Sequence, residues 1–456
     1  VWTQDNLFTA VHRIGGRTAV AAHQAFQELI PVSDVDDSFY TPQANKAGDD
    51  LIFSQVLEWL DGGGQTLMLV HLSQVDDAGD NLGGPKGEAW AEAATRVDGM
   101  IQMIGANLDF SQDTLLIVSD HGQIDAGGHG GPEAANLTEP FILAGAGVNQ
   151  GYWGTVEMVD VAPTAAALLG AAIPASSQGG VQTHMLDLVY EAGAAIPTLE
   201  LAQQQQLYQA YTSAIGVSST LMEEEDDPVV KYEAGIERAR ENRLSEERMG
   251  RFFLLLLPVL AAAYLAWRYR GRALLERIAL FAVYALVFTA VYMLAFTQVF
   301  SLSRVPDQAS LIVAILVSSA AGFLAAWLTA VFWKKFFADG IEAIADNTLA
   351  LAGVFMVLLS LPLGIHFLVN GTLVRWTLPD MNSGFFALLS MIQIAALALV
   401  GGLLAGGSVL GKRAVERRNA KEAGIDFAPA PVRKPAAHRD SAARKRRTGR
   451  GRGRKR

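Results

Sequence analysis

Three short stretches of this sequence gather the residue types that hold metals. His71 leads into Asp76, Asp77 and Asp80; Ser119-Asp120-His121-Gly122 follows; and Gly127-Gly128-His129-Gly130-Gly131 offers one more imidazole. Carboxylate and imidazole together are borderline-to-hard donors, suited to Zn²⁺ or Mn²⁺. Glycines on both sides of His129 let the backbone turn closely beneath an ion. The chain has no cysteine, which excludes thiolate metal sites, disulfides and a cysteine nucleophile.

Such residues need a scaffold to bring them together. Thr66–Leu72 (TLMLVHL) reads as a continuous apolar strand of the kind buried in a parallel sheet, and it runs out into Asp76 and Asp80. Thr114–Val118 reads as a second strand, ending at Asp120-His121, and Pro140–Ala144 as a third. A short β-prone run covers Thr18–Ala22. Helical spacing over Asn6–Ile14, Asp49–Leu60, Gly87–Ile104 and Val161–Leu169 separates these runs. Alternation of this kind predicts an α/β/α sandwich with a mostly parallel sheet. Ligand sites in open α/β sheets lie beyond the carboxyl ends of the strands, where the acidic and histidine residues fall.

The segments VDDAGD, VSDHG, GGHGG and VDVAPTAAALLG, in that order and spacing, resemble the alkaline-phosphatase superfamily. The type I phosphodiesterase/nucleotide pyrophosphatases and the ethanolamine-phosphate transferases are the branches it looks most similar to. The resemblance covers roughly residues 1–190 and implies two divalent metal ions, Zn²⁺ first, with Mn²⁺ or Mg²⁺ as alternatives. It implies that Asp76, Asp80 and His129 form one metal site and that Asp120 and His121 contribute to the second. It also places a Thr or Ser nucleophile, and a further aspartate ligand, in an earlier region than this chain displays. The catalytic nucleophile is therefore unassigned. The family usually has histidine where this chain has Asp80; an aspartate adds negative charge, lowers Lewis acidity and shifts preference toward Mn²⁺ or Mg²⁺.

Each residue has a plainer reading beside the functional one. Asp120-His121 is otherwise a turn after a strand, His129 part of a flexible glycine loop, and Asp80 an acidic loop residue. Asp77 reads as a solvated neighbour. His71 lies within a strand and reads as a hydrogen-bonded core histidine that supports the ligands from behind. His12, His23 and His184 read as structural.

The rest of the chain changes character. Residues 196–249 are polar and acidic, including Glu223–Asp227, and read as a helical stalk. Five apolar segments follow, near 252–267, 278–302, 310–333, 348–369 and 385–410, as expected of a helical membrane bundle over 250–411. Residues 412–456 carry 17 Lys/Arg against 4 Asp/Glu, a disordered basic tail suited to anionic lipid, while the first 411 residues carry 19 against 42. So acidic a body argues against nucleic acid as its ligand. Arg268, Arg270, Arg272, Arg277, Lys334 and Lys335 against single arginines (Arg304, Arg375) in the other loops put the tail inside and residues 1–249 outside the cytoplasm. That placement demands an export signal upstream of Val1, so the chain reads as lacking its N-terminal portion. His366, inside the fourth apolar segment, is a functional candidate by position, and a neutral histidine packed between helices explains it equally.

Three functions follow from this reading. The first is a membrane-anchored, extracytoplasmic metal-dependent phosphohydrolase or phosphotransferase, acting on phosphate esters or diesters and plausibly on lipid-linked headgroups. The others are a sulfatase-like hydrolase and a non-catalytic membrane protein with a degenerate phosphatase-like ectodomain. A transporter is disfavoured because the spans lack paired charges.

Overall fold

A computed structural model describes residues 4–216, 221, 227–296, 300–305, 307–334, 341–372 and 380–422. The acidic residues 223–226, the loop positions Lys335 and Arg375, and the tail beyond residue 422 lie outside the described residues. In chain order the first part runs α1 (Leu7–Arg13), β1 (Thr18–His23), β2 (Asp37–Thr41), α2 (Lys46–Gly62), β3 (Leu67–Val70), α3 (Gln74–Asn81) and α4 (Glu88–Ala106). It continues with β4 (Thr114–Val118), β5 (Phe141–Gly145) and α5 (Val161–Leu168).

The order of the sheet follows from side-chain size. Ala19, Val20, Ala21 and Ala22 of β1 are all fully buried, so small side chains on both faces admit helices above and below. β1 is accordingly the centre of a three-stranded parallel sheet, flanked by β2 and β3. Val20 and Ala22 pack against Phe8 of α1 on one face. Ala21 packs against Ile52 and Val56 of α2 and Ile104 of α4 on the other. Asn6 fixes the entry to α1, its side-chain oxygen accepting from the Phe8 and Thr9 N–H groups at 2.9 and 3.1 Å.

Two expectations need correction, and one strand was missed. β2, with the sequence DSFYT, was not legible as a strand, because its polar residues lie at a sheet edge. The strand after the glycine loop, β5, pairs with β4 in antiparallel register, Val118 opposite Phe141. Parallel pairing needs a crossover that carries the chain back to the far end of the strand. Residues 119–140 instead fold as a loop at one end of β4 and return there, which forces the reversal. Finally, Asp76, Asp77 and Asp80 lie on helix α3, not in a loop.

The second part consists of long helices: α6 (Tyr190–Ile215), α7 (Pro228–Arg268), α8 (Arg272–Ala290), α9 (Gln308–Lys334), α10 (Ile341–Asn370) and α11 (Asp380–Glu422). Five of these, α7 to α11, are long and apolar enough to cross a membrane, the pattern of a multi-pass membrane protein. Residues 228–249 and the first apolar segment form one helix, α7, of 41 residues or roughly 60 Å. Asp227 caps it and Pro228 opens it, both favoured at a helix start. α6 folds back along α7, with Tyr208 edge-on to Tyr232 at 5.6 Å.

Tyr284, Phe288 and Tyr292 stack at one-turn spacing along α8 and its π-helical continuation Val291–Ala295. They form the bundle core with Phe323 and Phe355. The second apolar segment ends earlier than its composition suggests: Leu302–Arg304 is a short 3₁₀ turn whose serines meet Glu133 and Asn136. His366 hydrogen-bonds the Ser383 hydroxyl at 2.9 Å, which supports the packed reading of that residue.

Candidate metal centre

Asp76 and Asp80 stand one turn apart on α3, so their carboxylates share a face. That face looks toward the segment after β4. His129 Nε2 lies 3.8 Å from Asp76 Oδ1 and 3.5 Å from Asp80 Oδ2. His121 Nε2 lies 3.9 Å from Asp76 Oδ1 and 3.8 Å from Asp120 Oδ2. The two imidazoles stack, with ring centroids 3.8 Å apart and planes 14° from parallel. All five carboxylate and imidazole groups expected to hold metal thus come together. The donor atoms of Asp76, His121 and His129 fall within 4.8 Å of one another.

The donor set fits a divalent ion. Two ligands about 2.1 Å from a tetrahedral ion stand about 3.4 Å apart, close to the spacings here. Tautomer points the same way. His121 Nδ1 sits 3.0 Å from the Gly122 carbonyl oxygen, which can only accept, so Nδ1 carries the proton. Nε2 is therefore the ring nitrogen that faces the two carboxylates, as a nitrogen holding a cation between them would.

Electrostatics express the same crowding. Burial pushes the Asp76 carboxyl up, the charge of Asp80 pushes it further, and the two histidines offset only part of this. Burial also holds His71 below its ordinary value, with Asp120 opposing. The His71 ring packs 4.5 Å from Phe26, and its Nδ1 is 3.3 Å from the Ser73 hydroxyl. It stands behind the site and supplies no donor to the three-residue group among the described residues.

Several positioning residues were not legible in the sequence. Gln123 donates its amide to Asp76 Oδ1 at 2.9 Å and Asp80 Oδ1 at 3.2 Å, bridging the two carboxylates. Trp90 Nε1 in turn holds Gln123 Oε1 at 3.3 Å. Asp49, with no exposed surface, accepts from the backbone N–H groups of Ser73 and Gln74 at 2.8 and 3.0 Å and from the Gln74 amide at 2.9 Å. It therefore caps α3 from outside that helix and sets the direction in which Asp76 and Asp80 project. No spacing rule links residue 49 to residue 73, so pattern reading could not find it.

Gly127 holds the His129 loop against α3. Its φ is +81°, and a Cβ there would collide with the Gly79 carbonyl oxygen. Gly127→Ala is expected to destabilise the domain by about 1–3 kcal/mol and to weaken metal binding. Thermal unfolding and chelator competition on the purified variant check this; an unchanged melting temperature would show that the loop tolerates the displacement.

Comparison with known proteins now bears on this site. Residues 3–219 match the family described as type I phosphodiesterase / nucleotide pyrophosphatase. The human (Homo sapiens) catalytic subunit of GPI ethanolamine phosphate transferase 3 is 27 % identical over 200 residues, covering 40 % of this chain and 17 % of that protein. GPI ethanolamine phosphate transferase 2 of Aspergillus fumigatus is 26 % identical over 199 residues, 39 % of this chain and 26 % of that protein. GPI ethanolamine phosphate transferase 3 of Eremothecium gossypii is 32 % identical over 129 residues, 25 % of this chain and 12 % of that protein. The matched segment thus spans about a quarter or less of the length of these relatives. No solved structure matches the chain. The carboxylate and imidazole cluster lies inside residues 3–219, the part of the chain that matches the type I phosphodiesterase / nucleotide pyrophosphatase family.

Proposed function

We propose that this chain is part of a membrane-anchored enzyme that transfers or hydrolyses a phosphate-ester group with the help of two divalent metal ions. The observation that carries the reading is the convergence of Asp76, His121 and His129, from three separate segments, within 4.8 Å. In this proposal Asp76, Asp80 and His129 hold one ion, and Asp120 and His121 contribute to the second. Bound there, divalent ions neutralise charge on phosphoryl oxygens and lower the pKa of a coordinated hydroxyl. The chain's own residues fix the donors: Gln123 sets the spacing of Asp76 and Asp80, and the Gly122 carbonyl engages His121 Nδ1 so that Nε2 is the nitrogen turned toward the carboxylates. Asp80 stands close enough to His129 to act as a ligand, which weighs against a degenerate, non-catalytic ectodomain. Imidazole with carboxylate favours Zn²⁺, and the extra carboxylate leaves Mn²⁺ or Mg²⁺ as alternatives.

The relatives' names support a substrate class. They transfer ethanolamine phosphate in the context of a GPI lipid, so a phosphate ester on a lipid-linked headgroup is proposed here. We assign residues 1–195 to the catalytic domain, 196–249 to a stalk, 250–411 to the membrane bundle and 412–456 to a basic cytoplasmic tail that touches anionic lipid. Residues 1–249 would then lie outside the cytoplasm. These 456 residues hold no cysteine, so an introduced one is the sole thiol among them. A single cysteine introduced on the exposed Leu137 loop is expected to react with a membrane-impermeant maleimide in intact cells, and labelling only after lysis would reverse the orientation.

The functional test uses the full-length protein in detergent. Bound divalent metal is expected, together with turnover of a chromogenic phosphodiester that a chelator abolishes and Zn²⁺ restores. Metal-free protein with no chelator-sensitive turnover would sink the proposal, and turnover of an aryl sulfate instead would move it to the sulfatase-like reading.

A further inference from the structure

We propose that the turn Leu302–Arg304 with its cap Ser301, which lies between the second and third membrane helices, is a working part of the candidate metal centre, with Ser301 and Ser303 positioning the His121–His129 pair. The inference rests on the reading of that pair as metal ligands.

Ser301 and Ser303 grip one carboxylate. Their hydroxyls donate to Glu133 Oε1 and Oε2 respectively, each at 2.6 Å. Ser303 also accepts from the Asn136 amide at 2.7 Å. Both Ser303 and Asn136 are buried, at 1 % and 3 % exposure, so water does not compete for these bonds. Burial works to raise the Glu133 carboxyl, and the two serine hydroxyls with its own backbone N–H more than reverse this, leaving it below the usual range.

Asn136 is the link from the serines to the imidazoles. Its carbonyl oxygen accepts the N–H of Gly122, the residue after His121, at 3.1 Å. Its side-chain amide donates to the carbonyl of Gly131, two residues after His129, at 3.3 Å. Gly131 is pressed so closely against Ser301, Ser303 and Glu133 that a Cβ would collide with all three. Both ends of the stacked imidazole pair are thus tied to one asparagine, and a membrane loop holds that asparagine from behind.

The tether also limits where the site can be. Ser303 lies five positions before Gln308, where α9 begins, and Glu133 four positions after His129. At no more than about 3.5 Å per step, and with the Ser303–Glu133 contact and the reach of the histidine side chain added, the imidazoles stand within roughly 45 Å of the end of that membrane helix.

The test compares the full-length protein with its Ser301→Ala/Ser303→Ala variant in nanodiscs, by Zn²⁺ competition against a chromogenic chelator and by hydrogen exchange. The double variant is expected to bind Zn²⁺ about 10- to 100-fold more weakly, the usual cost of losing outer partners of metal ligands. Exchange should rise across residues 122–137 and stay unchanged in α8 and α9, and Ser301→Thr in place of Ser301→Ala should restore part of the affinity. Wild-type affinity and wild-type exchange in the double variant would overturn the inference. A wild-type protein that binds no Zn²⁺ would instead refute the metal reading, and exchange alone would then decide the tether: raised exchange supports it, unchanged exchange overturns it. Should the double variant fail to fold, Glu133→Gln keeps the side-chain shape, weakens both serine bonds and carries the same expectations.

Discussion

Replacing Asp76 with asparagine is expected to weaken divalent-metal binding by at least about a hundredfold and phosphoryl transfer by roughly a thousandfold. Asp76 is the carboxylate that both imidazoles approach, at 3.8 and 3.9 Å, so its loss affects both sides of the centre. The amide preserves shape and the contact to Gln123 while removing the charge that a cation needs. The same change should have an opposite effect on the metal-free protein. The Asp76 pKa is raised by burial and by Asp80, so the folded chain binds this proton more tightly than the unfolded chain does. Its contribution to stability is present below about pH 3.9 and is lost as pH rises through the folded value. Metal-free Asp76→Asn should therefore melt higher than metal-free wild type at pH 7, and lower once Zn²⁺ is added. Thermal melts with and without chelator read both signs. Equal Zn²⁺ affinity in the two proteins would remove Asp76 from the ligand set.

Asp49→Ala is expected to cost about 3–5 kcal/mol, a large part of a domain's total stability. The side chain is fully buried and accepts three hydrogen bonds, two of them from backbone N–H groups at the start of α3. Alanine leaves those donors without a partner in a place that water does not reach. An eight-residue helix has little intrinsic stability, so losing its cap should fray the turn that carries Asp76. Zn²⁺ affinity should fall with stability even though Asp49 touches no ligand. Asp49→Asn keeps an acceptor oxygen and should cost only about 1–2 kcal/mol. Urea unfolding of the three proteins, followed by tryptophan fluorescence, measures this series. A loss below about 1 kcal/mol for Asp49→Ala would mean that water or another group satisfies α3.

The residues of the candidate centre could be listed from the sequence because their chemistry is local. Asp120-His121 follows an apolar strand, and His129 lies among glycines; both patterns are complete within a few residues. Helix positions were legible for the same reason, since a 3.6-residue period is a property of one segment, and five apolar runs marked the membrane helices. Strand partners were less so. The glycine-flanked run of β5 was recognisable, but its direction depends on where the 119–140 loop returns, which no short window contains.

Tertiary structure alone decided how the ligands meet and what holds them. The sequence shows Asp80 where its family usually has histidine; only the fold shows that its carboxylate still reaches His129, because α3 sets the two aspartates on one face. Asp49 and Gln74 are 25 residues apart, and Asn136 and Ser303 are 167 apart. Such contacts are set by the closure of the chain around its core, not by the preferences of either residue. For that reason a serine at the end of an apolar run read as part of a membrane span, and in the folded chain it stands beside the loop that carries His129.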